Sequence, residues 1–211
     1  MNQHASNPLP APRSPVLAYP IGDRLYLNIT DRCTLRCRFC PKHQAGPRVH
    51  GYDLGLRERP SVERLIAAMG DPSRYSEVVF CGFGEPTLRL KRLIEIADHI
   101  QAHGGRVRLN TDGLANRVFR RNVLPDLAGR IDALSVSMNA QCEDVYVRHC
   151  RPALSGSFAA MLDFLREAPL YVDEVTATAI DGLAGVDIGA CERLARDCGV
   201  AFRRRTLDVV G

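Results

Sequence analysis

Residues 77–110 read EVVFCGFGEPTLRLKRLIEIADHIQAHGGRVRLN. The segment opens on a short β-rich run, Glu77 to Cys81, and turns at Gly82 to Pro86. Helical spacing of apolar residues follows over Leu90 to His103, then a Gly104-Gly105 break, then a second β-rich run from Arg106 to Asn110. Strand, helix and strand joined this closely make a right-handed crossover, which lays the two strands parallel in one sheet.

The same alternation continues on both sides. Runs at Leu25 to Ile29, Ala133 to Ser137, Val175 to Ile180 and Phe202 to Leu207 bring the strands to six. Helical spacing is found over Ser61 to Met69, Phe158 to Glu167 and Gly189 to Asp197, with a shorter helix after Arg117. The chain therefore reads as an α/β protein. A full eight-fold barrel takes about 250 residues, so six units in 211 residues suit a partial (β/α)6 TIM-like barrel with parallel strands. A doubly wound sheet is the structural alternative. In either case functional residues gather where strands end and loops begin.

A hydrophobic content of 45% with 25% charged residues is that of one globular domain, expected over residues 21–211. Residues 1–20 carry Pro8, Pro10, Pro12 and Pro15 with little apolar periodicity and no basic-then-apolar start of a secretory signal, and read as a disordered arm. The net charge of +4 gives no argument for a nucleic-acid surface. No stretch approaches the roughly 20 apolar residues of a membrane span, so no membrane role and a cytoplasmic location are expected. There the eight unevenly spaced cysteines argue for metal or redox chemistry before disulfides. Cys81, Cys142, Cys150, Cys191 and Cys198 read as small, buried apolar residues.

The other three lie in Thr30-Asp31-Arg32-Cys33-Thr34-Leu35-Arg36-Cys37-Arg38-Phe39-Cys40-Pro41-Lys42, a CxxxCxxC loop directly after the first strand. Thiolates are soft donors, and three in a compact loop suit three corners of a cubane iron–sulfur cluster, leaving one iron without a protein thiolate. Arg32, Arg36, Arg38 and Lys42 lie close in sequence and would offset the negative charge of such a cluster. Zinc is the alternative, because His43 would complete a Cys3His tetrahedron in a metal-stabilised binding module. A simple electron carrier is a third reading, but it needs a fourth cluster ligand.

CxxxCxFC after the first strand, with Phe39 at its aromatic position, resembles the cluster loop of radical SAM enzymes. Gly82-Phe83-Gly84-Glu85-Pro86 resembles that family's GGEP segment, with Phe83 in place of the second residue. The resemblance implies a [4Fe–4S] cluster on Cys33, Cys37 and Cys40 and S-adenosylmethionine (SAM) on its open iron. A reduced cluster would cleave SAM to a 5′-deoxyadenosyl radical that takes hydrogen from an unidentified substrate, with an external one-electron reductant of the flavodoxin or ferredoxin type. It implies cofactor contacts by Phe39, Gly82, Gly84, Glu85, Asn110, Ser137, Asn139 and Thr178. The strings LYLNITDRC, FCGFGEPTLRL, LNTDGLAN and SMNA resemble the TatD-associated subgroup, which implies a TatD-type nuclease as a partner. On the last strand two-residue alternation puts Arg203 and Arg205 on one face, where guanidinium forks would suit a phosphate or carboxylate substrate.

Overall fold

In the computed structural model, which describes residues 15–44, 46 and 48–207, the chain enters on an antiparallel hairpin. Strands β1 (Ala18–Ile21) and β2 (Arg24–Leu27) are turned by Gly22 at a φ of 60°. The cysteine loop leads to one turn of helix, α1 (Pro41–Gln44), and a two-stranded hairpin, β3 (Arg48–Val49) and β4 (Tyr52–Asp53). The β/α units follow: α2 (Val62–Met69), β5 (Glu77–Phe80), α3 (Leu90–Ala102), β6 (Val107–Thr111), α4 (Ala115–Phe119) and α5 (Leu124–Leu127). The chain goes on through β7 (Ala133–Ser137), α6 (Glu143–Cys150), α7 (Ser157–Glu167), β8 (Glu174–Asp181), α8 (Ile188–Asp197) and β9 (Ala201–Thr206).

Seven strands share one sheet in the order β1-β2-β5-β6-β7-β8-β9, parallel from β2 onward. This is the partial TIM-like barrel expected from the sequence, and the six parallel strands lie within one or two residues of their expected bounds. The expected arm needs correcting. Residues 1–14 lie outside the described residues, but residues 18–20, assigned to the arm, belong to the edge strand Ala18–Ile21. Pro20 is tolerated there because an edge position leaves its missing N–H without a ladder partner to fail.

Two-residue alternation sorts the sheet's faces. Val78, Phe80, Val107, Leu109, Leu134, Val136 and Ala177 join the helices in the main hydrophobic core. The opposite face looks into the lumen, where a smaller apolar cluster of Tyr19, Tyr26, Val49, Leu54, Val79 and Phe83 gathers. The rest of that face is polar, with Asn110, Ser135, Ser137, Thr178, Arg203 and Arg205 lining one chamber. Buried Glu77 fastens three adjacent strands, pairing with Arg24 at 2.6 Å and with Arg108 at 2.6 and 2.9 Å. No helix among the described residues is long and apolar enough to cross a membrane.

Candidate functional site

Two neighbouring segments clamp the cysteine loop. On one side lies the turn after β5, where the Glu85 amide donates to the Arg32 carbonyl at 2.7 Å. A Cβ on Gly84 would stand 2.2 Å from that carbonyl oxygen and 2.7 Å from the Arg32 nitrogen; one on Gly82 would stand 2.5 Å from Asn28 Oδ1. These glycines are therefore required by the contact between the two loops. Asn28 in turn donates to the carbonyls of Val16 at 3.1 Å and Leu54 at 2.9 Å, tying the loop's base to both hairpins.

On the other side lies the C-terminal end of α6. The amides of Arg36 and Arg38 donate to the carbonyls of Cys150 at 3.0 Å and His149 at 2.8 Å, and the Ala153 amide donates to Thr34 at 3.0 Å. Lys42 Nζ donates to the Asp31 carbonyl and the Thr34 hydroxyl to the Asp112 carboxylate. Four backbone bonds with two side-chain bonds thus fix a segment that lacks regular secondary structure of its own.

The three thiols line a cavity of about 440 Å³ together with Phe39, Gly82, Gly84, Glu85, Asn110, Ser137 and Asn139. Thr178 sits apart from these candidates, in an adjoining chamber of about 130 Å³ that also holds Tyr19, Tyr26, Arg203 and Arg205. Cys81, Asn110, Ser137 and Arg205 border both spaces. Among the described residues no three His, Cys, Asp or Glu side chains converge as the ligands of a single ion, so Cys33, Cys37, Cys40 and His43 do not form a tetrahedron. A cubane takes each thiolate on a different iron and makes no such demand for one common point.

Glu85 is 3% exposed and its carboxylate is fully engaged. Oε1 accepts from the Thr87 amide at 3.0 Å, the Thr87 hydroxyl at 2.7 Å and the Thr111 hydroxyl at 2.8 Å, while Oε2 accepts from the Asp112 amide at 2.7 Å. Asp112, a residue to which the sequence assigned no role, lies beside it at 5% exposed and accepts from the Leu114 amide at 3.0 Å. Burial, then the Asp112 charge, pushes Glu85 up to about 8; burial also raises Asp112. No Lys, Arg or His pairs with either carboxyl among the described residues. Two further acceptors in the cavity wall, Asn110 Oδ1 and Asn139 Oδ1, are buried without a partner. Leaving such an atom unbonded costs about 1–3 kcal/mol, and orphaned atoms of this kind mark places where a ligand completes the site. Asn139 holds its position in the left-handed region at a φ of 58°, which Asn tolerates better than most residues.

The thiols respond to the same surroundings. The hydrogen bond with buried Cys150, followed by burial, raises Cys37; burial raises Cys40. A bound metal cation would favour the thiolates that burial disfavours.

The raised pKa of Glu85 makes the stability of the fold depend on pH. An unfolded Glu ionises near 4.5 and the folded one at about 8, so the folded chain binds the extra proton between those values. Its contribution to stability is complete below about pH 4.5 and declines as pH rises toward 8. Thermal melts of the cluster-free protein across that window should fall more steeply with pH for the native chain than for Glu85→Gln. Parallel slopes would contradict the shift.

The family model described as Radical SAM superfamily matches residues 27–198. Among curated proteins, the GTP 3',8-cyclase of Streptomyces coelicolor is 28% identical over 165 residues, which cover 77% of this chain and 46% of that protein. The chain thus spans about half the length of this curated relative. Streptococcus suis SuiB bound to its precursor peptide SuiA superposes with a TM-score of 0.64 at 12% identity, covering 88% of this chain and 39% of SuiB. TYW1 with a lysine-pyruvate adduct gives 0.62 at 15% identity, covering 89% of this chain and 66% of that one. At these identities the structures share a fold with this chain.

Proposed function

This chain belongs to the Radical SAM superfamily, and from that premise we propose that it is an enzyme holding a [4Fe–4S] cluster on Cys33, Cys37 and Cys40 that cleaves SAM reductively. The observation that carries this reading is one cavity wall bearing three thiols, an unpaired buried carboxyl pair and two orphaned amide oxygens. Held by Cys33, Cys37 and Cys40, a reduced cluster would supply the one electron for cleavage of the carbon–sulfur bond of SAM to methionine and a 5′-deoxyadenosyl radical.

The chain's own residues bind and orient. An ammonium group beside Glu85 and Asp112 would favour their ionised forms, offsetting the burial and mutual repulsion that hold a proton on Glu85. Asn110, Ser137 and Asn139 present amide and hydroxyl groups to ribose hydroxyls or a carboxylate, and Phe39 gives an aromatic wall. Gly82 and Gly84 keep the backbone close against the cluster loop, and Thr178 supports the neighbouring chamber.

The motif strings LYLNITDRC, FCGFGEPTLRL, LNTDGLAN and SMNA support placement in the TatD-associated subgroup, with a TatD-type nuclease as a partner and a flavodoxin or ferredoxin as reductant. We take the catalytic domain to begin at β1, within the expected arm, and to continue through β9. We place it in the cytoplasm, where reduced cysteines persist.

Anaerobic purification with iron and sulfide analysis, then chemical reduction in the presence of SAM, tests the proposal. About four irons and four sulfides per chain and SAM-dependent 5′-deoxyadenosine are expected. A colourless, zinc-loaded protein that leaves SAM intact would sink it.

A further inference from the structure

The 130 Å³ chamber lies where the two edges of the open sheet face each other. Tyr19 and Tyr26 come from the β1–β2 edge and stack with ring centroids 5.6 Å apart. Opposite them, Arg203 and Arg205 come from β9, in register with Thr178 and Ile180 of β8. The intervening Arg204 points to the other face and pairs with Asp181.

Arg203 and Arg205 differ from the other arginines of the sheet in lacking a carboxylate partner. Arg24 and Arg108 share Glu77, Arg106 pairs with Glu174 at 2.8 Å, and Arg204 has Asp181. The guanidinium groups of Arg203 and Arg205 have neither a carboxylate nor a hydrogen-bond partner among the described residues. Nor does the chamber wall hold an acidic side chain; its other polar groups are neutral hydroxyls, a thiol and an amide. Ordinary surface arginines on an edge strand would look like Arg204. Two unneutralised guanidinium groups, Arg203 exposed and Arg205 half-buried, bordering one space that holds no acidic group instead resemble a receptor for an oxyanion, which each fork can grip through two N–H donors. At ~30 Å³ per water, the chamber has room for a charged group and little more. Beyond it, Asn110 and Ser137 lead directly into the cavity of the three thiols.

From this arrangement we infer that Arg203 and Arg205 receive the anionic group of the substrate, a phosphate or a carboxylate, while the body of that small molecule extends past Asn110 and Ser137 toward the cysteine cavity. The assignment rests on the radical SAM reading and deepens it, since it names the chemical class of substrate. The arginines act as binding and positioning residues. The hydrogen taken by the radical would lie on the part of the substrate remote from its charge.

Calorimetric titration of the full chain, loaded with cluster, tests the inference with phenyl phosphate, benzoate and neutral phenol, each with and without saturating SAM. Saturable binding of one or both anions is expected, with phenol far weaker, and the stronger anion identifies the native group. In the Arg203→Gln/Arg205→Gln double variant anion affinity should fall about tenfold or more, while SAM affinity and the melting temperature stay unchanged. Arg203→Lys/Arg205→Lys should restore part of the anion affinity. Equal anion binding by the glutamine variant, no preference over phenol, or no anion binding by the native chain would overturn the inference. Loss of SAM affinity in the glutamine variant would also overturn it, by assigning the arginines to the cofactor's own carboxylate. A chain that discriminates the anions yet never binds SAM would defeat the enzymatic reading and leave the anion site standing.

Discussion

Replacing Cys33 by Ala should leave a folded chain that retains little iron and forms no measurable 5′-deoxyadenosine. Cys33 is exposed, and its sulfur accepts one weak contact from the Leu35 amide at 3.4 Å. A surface change of this kind moves stability by about 0.5 kcal/mol or less, so the melting temperature of the cluster-free protein should barely shift. The functional loss should be far larger. Even outer-shell partners of a metal site cost about 10–100-fold when removed, and a direct ligand should exceed that range. Cys142, also exposed but outside the cavity wall, supplies the control: Cys142→Ala should keep both iron and turnover. Equal iron content in the two variants would contradict the role assigned to Cys33.

The second large effect is expected from Gly84→Ala, which removes no proposed cluster thiolate. The added methyl would meet three backbone atoms of the cysteine loop, Arg32 O at 2.2 Å, Arg32 N at 2.7 Å and Asp31 C at 2.8 Å. No rotamer change relieves a clash with backbone, so the loop must move and the 2.7 Å bond from the Glu85 amide to Arg32 must break. Overpacking of this type costs about 1–3 kcal/mol. Iron retention should fall with it, because the displaced segment carries Cys33. Gly189→Ala on α8 provides the contrast, since its Cβ would meet neighbours at an ordinary 3.4 Å and Ala favours a helix by ~1 kcal/mol over Gly. Melting curves and iron content of the two variants decide the matter; a Gly84→Ala protein as stable and iron-rich as the native chain would refute the clamp.

Much of this architecture was legible because local pattern and tertiary role agree. The 77–110 unit has a continuous apolar strand, a helix with five buried apolar positions and glycine at its exit, so periodicity alone identifies it. Helix α6 was not legible, for its buried face is Val145, Tyr146, His149 and Cys150, and a histidine among those four breaks the apolar spacing. Strand β1 hid behind Pro20 and the prolines upstream, which read as an arm until the edge position explains them.

The site divides in the same way. Cysteine spacing and the GFGEP turn are chain-local signals, and two-residue alternation placed Arg203 and Arg205 on one face. Other features depend on what the fold brings near. Gly84 serves a loop distant in sequence, and the fully bonded state of the Glu85 carboxylate depends on Thr111 and Asp112 from the next strand. The unneutralised state of Arg203 and Arg205 emerges only once every other arginine of the sheet has found its partner.

Electron paramagnetic resonance of the anaerobically reduced, cluster-loaded chain, recorded before and after SAM is added, tests the central claim most directly. A reduced [4Fe–4S] signal whose g-values shift on addition of SAM is predicted, because an iron without a protein thiolate can take the cofactor as its ligand. A cluster signal that SAM leaves unchanged, or no cluster signal at all, would contradict the account.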